Sequence, residues 1–370
     1  MIREKLNSSR QTDRQTDRQT DRQTDRQTDR QTDRRNYNVD FIRVMACIAV
    51  VGLHTFPKDL STVTASLYYL CGFAVPVFFM SSGYFLLNRG EVSYKYAVQK
   101  CIGIIRVVFL WNSIIFILKF AKQLILDEEV TINLMTLAKE FVKSFVQWGT
   151  LWQFWYLGAL LIIYALLPVL SRRNCRQKRV VLLICGIVSV VVEAASFLYG
   201  MPLQKNVIQT FRVWTWLFYF LLGSEMPKAK DWFCAHVNMI SHFIICLAVT
   251  VLIVAYQNYV GSKIILEATG VLHAEYFYDS LFEMIWIVLI VTLLLRINFS
   301  SRFTDCIFRL APLTMGIYIT HPMVLKVTLA IIGNTSIFRS IVYWIATFFG
   351  AIIITWGIRK IPLGKYLVKI

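Results

Sequence analysis

The stretch Asn38–Phe56, which reads NVDFIRVMACIAVVGLHTF, decides the fold of this 370-residue chain. It is long and apolar enough to enter a lipid bilayer, yet it carries Asp40 and Arg43 at its start and His54 near its far end. An α-helix turns about 100° per residue, so His54 returns to within roughly 20° of Arg43 and lies about 16 Å farther along the axis. Ionisable groups are costly in hydrocarbon and usually face a bundle interior or a water-filled path. We therefore predict a functional role for Arg43 and His54.

The composition of the whole chain is that of a protein that crosses a membrane several times. Hydrophobic residues make up 56% of the sequence, and the mean hydropathy is +0.55. The formal net charge of +17 would suggest nucleic-acid binding in a soluble protein. Here the positive residues cluster between apolar segments, as they do in the cytoplasmic loops of membrane proteins. We therefore expect a lipid bilayer as partner and no nucleic acid.

The eight cysteines stand singly, and most of them lie inside apolar segments. No C-x-x-C pair and no His/Cys spacing suits a metal, so we predict neither a metal site nor a disulfide framework. The cysteines are interpreted as small apolar residues. The start of the chain is polar and basic, and no small-residue cleavage site follows the first apolar run, which is therefore expected to remain as the first membrane helix.

A six-fold repeat of Gln-Thr-Asp-Arg occupies residues 11–34. It contains no apolar residue that could be buried in a core, so we expect a disordered linker. The genetic code offers a further interpretation, because the tetranucleotide CAGA in tandem encodes the same four residues. Gain or loss of one unit by slippage would shift the reading frame of everything downstream. Our hypothesis is a phase-variable gene whose repeat acts at the level of DNA.

From Val39 onward we identify ten apolar segments, most of which approach the roughly 20 residues that a helix needs to cross about 30 Å of hydrocarbon. They lie at 39–57, 65–88, 101–120, 151–170, 179–199, 206–223, 239–258, 281–297, 308–332 and 337–358. We predict an all-α integral membrane protein with about ten transmembrane helices. Its expected domains are a disordered cytoplasmic tail at 1–37, a ten-helix membrane domain at 38–360 and a cytoplasmic C-terminal tail at 361–370.

The loops between these segments alternate in charge, which predicts their orientation. Cations concentrate at 89–100, 172–179, 228–230, 302 and 359–369. The other loops are poorer in cations or contain acids, as at 127–129 and 267–279. Positive loops stay in the cytoplasm, so both termini are predicted to be cytoplasmic. The connection after the third segment contains lysines that offset its acids, but a loop of that length influences orientation less.

Five short motifs resemble one known family. Arg43 and His54, with ten residues between them, look like the arginine-ten-histidine signature of the acyltransferase-three family of integral membrane acyltransferases. The second segment contains PVFFMSSGY at Pro76–Tyr84, which looks like that family's P-x-F-F-x-x-S-G-Y/F element. Three weaker matches follow in the expected order, at 152–157, 220–223 and 316–322. The motifs span most of residues 38–360, and ten helices is also that family's number.

The resemblance implies transfer of an acyl group, most often acetyl from cytoplasmic acetyl-CoA, to a hydroxyl group of a surface or secreted carbohydrate. It also implies that Arg43 and His54 serve acyl-CoA use and catalysis. A neutral imidazole can accept the proton of a sugar hydroxyl as that hydroxyl attacks a thioester. Arg43 is permanently cationic and suits a CoA phosphate or a contact with a neighbouring helix. The alternatives are a helix-end histidine that meets interfacial water and an arginine that snorkels.

Other candidate residues follow the same motifs. Ser82 is a candidate ligand contact, although small residues in a bulky helix more often serve packing. Trp155 and Tyr156 are candidates for stacking on a sugar, with an interfacial aromatic belt as the alternative. Tyr318 and His321 are three residues apart and share a helix face. His321 is interpreted either as a second polar group of the site or as a structural hydrogen-bonding residue before a proline.

Two further charged residues lie in predicted membrane helices. Arg106 resembles the start of the family's third helix and is a candidate for phosphate binding, although the proline commonly found after it in the family is absent. Glu193 is expected to face the bundle and to pair with a cation, since a carboxylate in the membrane seldom stands alone. Arg212, Lys326 and Arg106 are the candidate partners of Glu193.

These observations predict a ten-helix O-acyltransferase of a bacterial inner membrane. Its donor is expected to be acetyl-CoA, and its acceptor a glycan or glycolipid of lipopolysaccharide, capsule or exopolysaccharide. The alternatives are a multi-span transporter of a small polar or glycan-related substrate and a membrane scaffold without enzymatic activity. Against a transporter, the sequence contains no clear internal repeat of helices.

The repeat hypothesis predicts the nucleotide sequence of the gene. We expect codons 11–34 to form an uninterrupted four-base period, with unit numbers that differ among clonal isolates. Sequencing the coding DNA measures both. Mixed codons that break the period would refute the hypothesis.

Overall fold

The computed structural model describes residues 36–59, 61–126 and 133–369. The Gln-Thr-Asp-Arg repeat, almost all of the predicted tail at 1–37 and the acidic residues 127–129 lie outside the described residues, so what the sequence predicts for them stays a prediction. Residues 38–370 belong to one unit of the chain.

The described residues form helices and contain no strand, which confirms the predicted all-α fold. In chain order the helices are α1 (Tyr37–Thr55), α2 (Thr62–Leu70), α3 (Ala74–Leu87), α4 (Tyr94–Ile125), α5 (Leu134–Phe145), α6 (Trp155–Arg172), α7 (Cys175–Leu198), α8 (Val213–His236), α9 (Met239–Val260), α10 (Leu266–Thr269), α11 (Leu281–Leu295), α12 (Ser301–Leu310), α13 (Thr314–Ile332), α14 (Ile337–Lys360) and α15 (Lys365–Val368).

Eight helical stretches of the described residues are long and apolar enough to cross a membrane. Three of them join two helices, namely α2 with α3, α9 with α10, and α12 with α13. The sixth and eighth predicted segments correspond to α8 and α11, which are not among the eight. Helix α11 has only 15 residues, and the second half of α8 is charged, with Glu225, Lys228 and Asp231. The predicted count of ten transmembrane helices and the predicted cytoplasmic location of both termini therefore stay predictions.

Polar loop residues begin several of these helices. Ser61 caps α2 and Asn174 caps α7, and each exchanges hydrogen bonds with the residue three positions later. Asn133 caps α5 in the same way. Helix α5 was not predicted, because the connection after the third segment has too few apolar residues for a membrane span. Its Ser144 is buried against Asn112 of α4, with a hydrogen bond of 3.1 Å between them.

Two glycines allow α3 and α8 to approach each other at backbone distance. A Cβ atom on Gly83 would lie 1.7 Å from the backbone oxygen of Phe220, and one on Gly223 would lie 2.0 Å from that of Met80. The glycines belong to the Pro76–Tyr84 motif and to the motif at 220–223. Packing thus accounts for both glycines, since small residues drive close helix association in membranes.

This crossing supports the aromatic core beneath the candidate site. Phe79 of α3 stacks on Trp216 of α8, with ring centroids 4.8 Å apart. Tyr156 of α6 meets the same Phe79 edge-on at 4.8 Å. The crossing therefore determines where α6 presents Tyr156.

The glycine crossing predicts a loss of stability on substitution. We expect Gly83→Ala to lower the free energy of unfolding by about 3 kcal/mol or more, because the new methyl group meets backbone that no side-chain rotation can move. Thermal unfolding in detergent measures the loss. Gly357→Ala on α14 is the matched control, since no atom lies within 4 Å of its added Cβ. Equal melting temperatures for the two variants would contradict the packing argument.

Candidate functional site

A cavity of about 220 Å³ lies at the end of α1, where His54 is placed. It is lined by side chains from α1, α2, α3, α6 and α13 and by the connections between helices. Four of the predicted site residues line it, namely His54, Trp155, Tyr156 and Tyr318. The structure thus brings together residues that are up to 264 positions apart in the sequence.

Two rings hold the imidazole of His54 in place. His321 of α13 stacks on it, with centroids 5.4 Å apart and an angle of 20° between the planes. Trp152 meets it edge-on at 5.0 Å. Because α1 ends at Thr55, the ring of His54 reaches the cavity at the point where the helix gives way to the loop. The packing fixes the plane of the ring while leaving it in contact with the cavity.

His321 is buried behind His54 and does not itself line the cavity. Its Nδ1 atom lies 3.2 Å from the carbonyl oxygen of Ile317, one helical turn earlier. Its Nε2 atom has no hydrogen-bond partner among the described residues. The predicted shared face of Tyr318 and His321 is observed, because both side chains turn towards the His54 end of the site.

Tyr318 and Tyr156 form the inner aromatic wall of the cavity. Their rings meet edge-on with centroids 5.4 Å apart. The hydroxyl group of Tyr318 donates to the backbone carbonyl of Gln153. Ser82 lies just below this wall, where its hydroxyl donates to the carbonyl of Phe78 at 3.0 Å. Ser82 does not line the cavity, so a role as a ligand contact stays a prediction.

Arg43 lies at the opposite end of α1 from the cavity. Its Nη1 atom is 3.8 Å from Oδ1 of Asp40, and a third of its side chain is exposed. Arg43 is also close enough to Tyr156 and Tyr164 to act electrostatically on their hydroxyl groups. Tyr156 thus reaches the cavity on one side and the surroundings of Arg43 on the other. The two predicted catalytic residues share a helix but do not touch.

Arg106 is not brought to the cavity. Its guanidinium group lies 4.8 Å from the centre of the Tyr366 ring and donates to the carbonyl of Lys369 at 3.4 Å. Trp111, one turn further along α4, donates to the carbonyl of Leu367 at 2.8 Å. The segment that contains α15 therefore occupies this face of α4, and phosphate binding by Arg106 stays a prediction.

The loop between α10 and α11 supplies a charged rim that the sequence reasoning did not predict. Glu275 accepts a hydrogen bond from Nδ1 of His273 at 3.0 Å, and both side chains line the cavity with Lys58. Burial alone would raise the pKa of Glu275, but this hydrogen bond and the charges of His273, Lys58 and Arg212 lower it to about 2. Burial lowers the pKa of Lys58, and the charge of Glu275 partly offsets that effect. Glu275 is therefore a carboxylate at any physiological pH.

Arg212, which directly precedes α8, contacts the loop between α10 and α11. It is 2% exposed, and its Nη1 atom donates to the backbone carbonyl of Glu275 at 2.8 Å. Its guanidinium group also lies 5.5 Å from the centre of the Tyr276 ring. These contacts bind the loop to the start of α8. No local motif identifies Lys58, His273 or Glu275, because the loop that follows α1 and the loop that precedes α11 meet only in the folded protein.

The expected cation partner of Glu193 is not found among the described residues. Glu193 instead accepts a hydrogen bond from Nε2 of Gln204 at 3.1 Å. Its ionisable neighbours are two further acids, Asp279 and Glu283. Arg212 turns to the loop at Glu275, so the expectation of an ion pair was wrong for that candidate.

The site combines a held imidazole, aromatic walls and polar groups around one cavity. The imidazole can accept and return a proton, and aromatic faces can stack on a sugar ring. The described residues contain no group of three or more His, Cys, Asp or Glu side chains that could hold a metal ion. The arrangement suits proton transfer to and from a bound polar molecule.

Comparison with known proteins gives one family and two distant relatives. A family model described as an acyltransferase domain matches residues 36–360, nearly the whole chain. Two proteins of Enterococcus faecalis named amino-acid racemase are similar in sequence. One is 24% identical over 314 residues, which cover 79% of this chain and 41% of that racemase. The other is 26% identical over 176 residues, which cover 47% of this chain and 24% of that racemase. The chain thus spans less than half the length of these relatives, and no solved structure matches it.

The lowered pKa of Glu275 predicts how its contribution to stability depends on pH. The contribution is present above the ordinary pKa of 4.5 and is lost as the pH falls towards the folded-state value of about 2. We expect Glu275→Gln to lower the free energy of unfolding by at most about 3 kcal/mol at pH 7 and by progressively less below pH 4.5. Thermal unfolding of both proteins between pH 7 and pH 3.5 measures the difference. Glu267→Gln, at an exposed position of α10, is the control, and a difference that grows on acidification would contradict the assignment.

Proposed function

Because the chain belongs to the acyltransferase-three family, whose model matches residues 36–360, we propose that this membrane acyltransferase moves acetyl from acetyl-CoA to a hydroxyl group of a cell-surface glycan. The observation that carries the proposal is the placement of His54. Its imidazole is held by His321 and Trp152 and reaches a cavity with aromatic walls. A general base held in this way beside a sugar-sized space suits acyl transfer to a hydroxyl group.

The proposed step balances without any further reactant. His54 accepts the proton of the acceptor hydroxyl as its oxygen attacks the thioester carbonyl carbon. The carbon–oxygen bond forms, the carbon–sulfur bond breaks, and the imidazolium returns its proton to the departing CoA sulfur. The products are the O-acetylated acceptor and free CoA. The packing of His321 and Trp152 on His54 supports the reaction because it keeps the imidazole in one orientation.

Arg43 is proposed to serve the donor. It is cationic, partly exposed and about three helical turns from His54 on the same face of α1. A guanidinium group binds phosphate oxygens well, and CoA carries phosphates far from its reacting sulfur. Tyr156, which lies near Arg43 and also lines the cavity, marks the direction in which the acyl end of the donor would extend. Donor recognition and acyl transfer would thus occur near opposite ends of α1.

Trp155, Tyr156 and Tyr318 are proposed to contact the acceptor. All three line the cavity, and their rings offer apolar faces with polar edges. Sugars present apolar faces formed by C–H groups and hydroxyl groups around the edge, so such a wall can bind the face and leave a hydroxyl group near His54. The charged rim at Lys58 and Glu275 lies at the same end of α1.

The proposed setting is the inner membrane of a bacterium, with a surface glycan as acceptor. The tandem repeat at residues 11–34 supports this setting, because frame-shifting repeats suit genes whose surface products vary. The eight helical stretches able to cross a membrane support a multi-pass protein. The family assignment favours the enzyme over the transporter and the scaffold considered from the sequence.

Replacing His54 tests the catalytic proposal. We expect His54→Ala to lower kcat for acetyl transfer by about 10²–10⁴-fold, the usual contribution of a general base. Mass spectrometry of O-acetyl groups on surface glycans, together with CoA release by the purified protein, measures the loss. His236→Ala is the matched control, since that histidine is exposed on α8, outside the cavity. Normal O-acetylation by a well-folded His54→Ala variant would refute the mechanism.

The role of Arg43 is tested by the same assay. Arg43→Ala should raise KM for acetyl-CoA more than it lowers kcat, and Arg43→Lys should recover part of the effect. Arg106→Ala provides a comparison, because Arg106 lies against the segment that contains α15. An unchanged KM for acetyl-CoA in Arg43→Ala would contradict the proposal that Arg43 binds the donor.

A further inference from the structure

Lys58 brings a positive charge to the cavity that the proposed acyl transfer does not use. Of the described residues that line the cavity, it is the one Lys or Arg. It lies four positions after His54, in the loop just beyond the end of α1 at Thr55. Its side chain is partly exposed, so a molecule bound in the cavity can reach the ammonium group.

The ammonium group of Lys58 is positioned by an aromatic ring and has no close acidic partner. Its Nζ atom lies 4.7 Å from the centre of the Tyr68 ring, and the Tyr68 hydroxyl group accepts a hydrogen bond from the backbone nitrogen of Ala274 at 2.8 Å. Among the described residues, Nζ has no hydrogen-bond partner and no carboxylate oxygen within 4 Å. A ring face attracts the positive charge, but the N–H donors stay available to a ligand.

Glu275 favours the charged form of Lys58 without occupying it. Burial lowers the pKa of Lys58, and the charge of Glu275 partly offsets that effect. The hydrogen bond of the Glu275 carboxylate comes from His273, at 3.0 Å. The carboxylate therefore supports an ammonium ion at the cavity while another side chain takes its hydrogen bond.

Acyl transfer at His54 requires a group that stabilises negative charge. When a hydroxyl group attacks a thioester, charge develops on the carbonyl oxygen, and donors or cations placed there are usually the largest single contribution to catalysis. The attacking oxygen must lie within about 3 Å of the imidazole, and the carbonyl oxygen is bonded to the carbon under attack. In a cavity of about 220 Å³ that both side chains line, the flexible side chain of Lys58 can reach that oxygen.

We propose that Lys58 is a further catalytic residue, whose ammonium group binds the carbonyl oxygen of the acetyl thioester and stabilises the oxyanion formed on it. The proposal rests on the proposed acyl transfer and adds a role that neither His54 nor Arg43 fills. As the new carbon–oxygen bond forms, the electron pair of the carbonyl double bond moves to its oxygen. The pair returns when the carbon–sulfur bond breaks, and Lys58 keeps its proton throughout.

Two other roles of Lys58 would have different consequences. A lysine that binds an anionic group of the acceptor affects transfer to that acceptor but not hydrolysis of acetyl-CoA by water. A lysine that acts as a general base must be a neutral amine, a role that arginine cannot take over. An oxyanion forms in both transfer and hydrolysis, so its stabilisation affects the two reactions alike and is retained in part by arginine.

The rates of acetyl transfer and of acetyl-CoA hydrolysis test the proposal together. Inverted membrane vesicles from cells that express the protein carry the native acceptor and are given acetyl-CoA with a radiolabelled acetyl group. Acetyl-glycan and free acetate are measured, with vesicles that lack the gene as the blank. We expect Lys58→Met to lower the maximal rate of both reactions by about 10²–10³-fold, with KM for acetyl-CoA within about threefold of the wild type. Lys58→Arg should be at least about tenfold faster than Lys58→Met.

Matched variants exclude a structural effect. Lys263→Met replaces an exposed lysine in the turn Gly261–Ile265, outside the cavity, and should leave both rates unchanged. The amount and the melting temperature of each variant show whether it is folded. Lys58→Gln, which removes the charge but keeps a polar side chain, provides the same comparison if Lys58→Met does not accumulate.

The outcomes separate the role of Lys58 from the proposed function. Wild-type vesicles that produce no acetyl-glycan and no acetate above the blank refute acyl transfer itself. With an active wild type, the role of Lys58 is overturned by a maximal rate of Lys58→Met within about threefold of the wild type, or by a loss confined to KM. A fall in acetyl-glycan with unchanged acetate, or an arginine variant as slow as Lys58→Met, also overturns it.

Discussion

The cost of placing polar groups in hydrocarbon is the constraint on which the rest of the structure depends. A membrane offers no water to an unpaired charge or amide, so polar side chains of spanning helices turn inwards and gather there. Helix α1 shows the result, since Arg43 meets Asp40 near its start and His54 reaches the cavity at its end. Helices α7 and α14 instead leave large apolar side chains outside, such as Ile187 and Ile353. The cavity lies where His54 and polar residues of the connecting loops meet aromatic side chains of the helices.

Close backbone packing gives this polar interior its rigidity. The crossing of α3 and α8 at Gly83 and Gly223 supports an aromatic layer, and that layer sets the position of Tyr156. A held imidazole needs such support, because a general base acts on a proton only within hydrogen-bond reach. The motif around Gly83 thus supports the candidate site through packing. Its neighbour Ser82 bonds within its own helix.

The two ends of α1 carry the residues proposed to serve the two substrates. Arg43 and His54 are on one face but are separated by about three turns. Tyr156 lies between their surroundings and links them in space. A path along one helix face, with donor binding at one end and transfer at the other, fits this arrangement better than a pair of residues acting together.

The sequence by itself determined the class of fold, the approximate helices and the family, because apolar length and the spacing of Arg43 and His54 are local properties of the chain. It also singled out His54, Trp155, Tyr156 and Tyr318, since each belongs to a motif, and the four line one cavity while their roles stay predictions. Only the tertiary structure revealed the charged rim formed by Lys58, His273 and Glu275. Those residues lie in short turns and loops without a periodic pattern, and their neighbours come from distant helices. The expected ion pair between Glu193 and Arg212 is not formed for the same reason. Packing between helices determines which side chains meet, and no local sequence pattern predicts that packing.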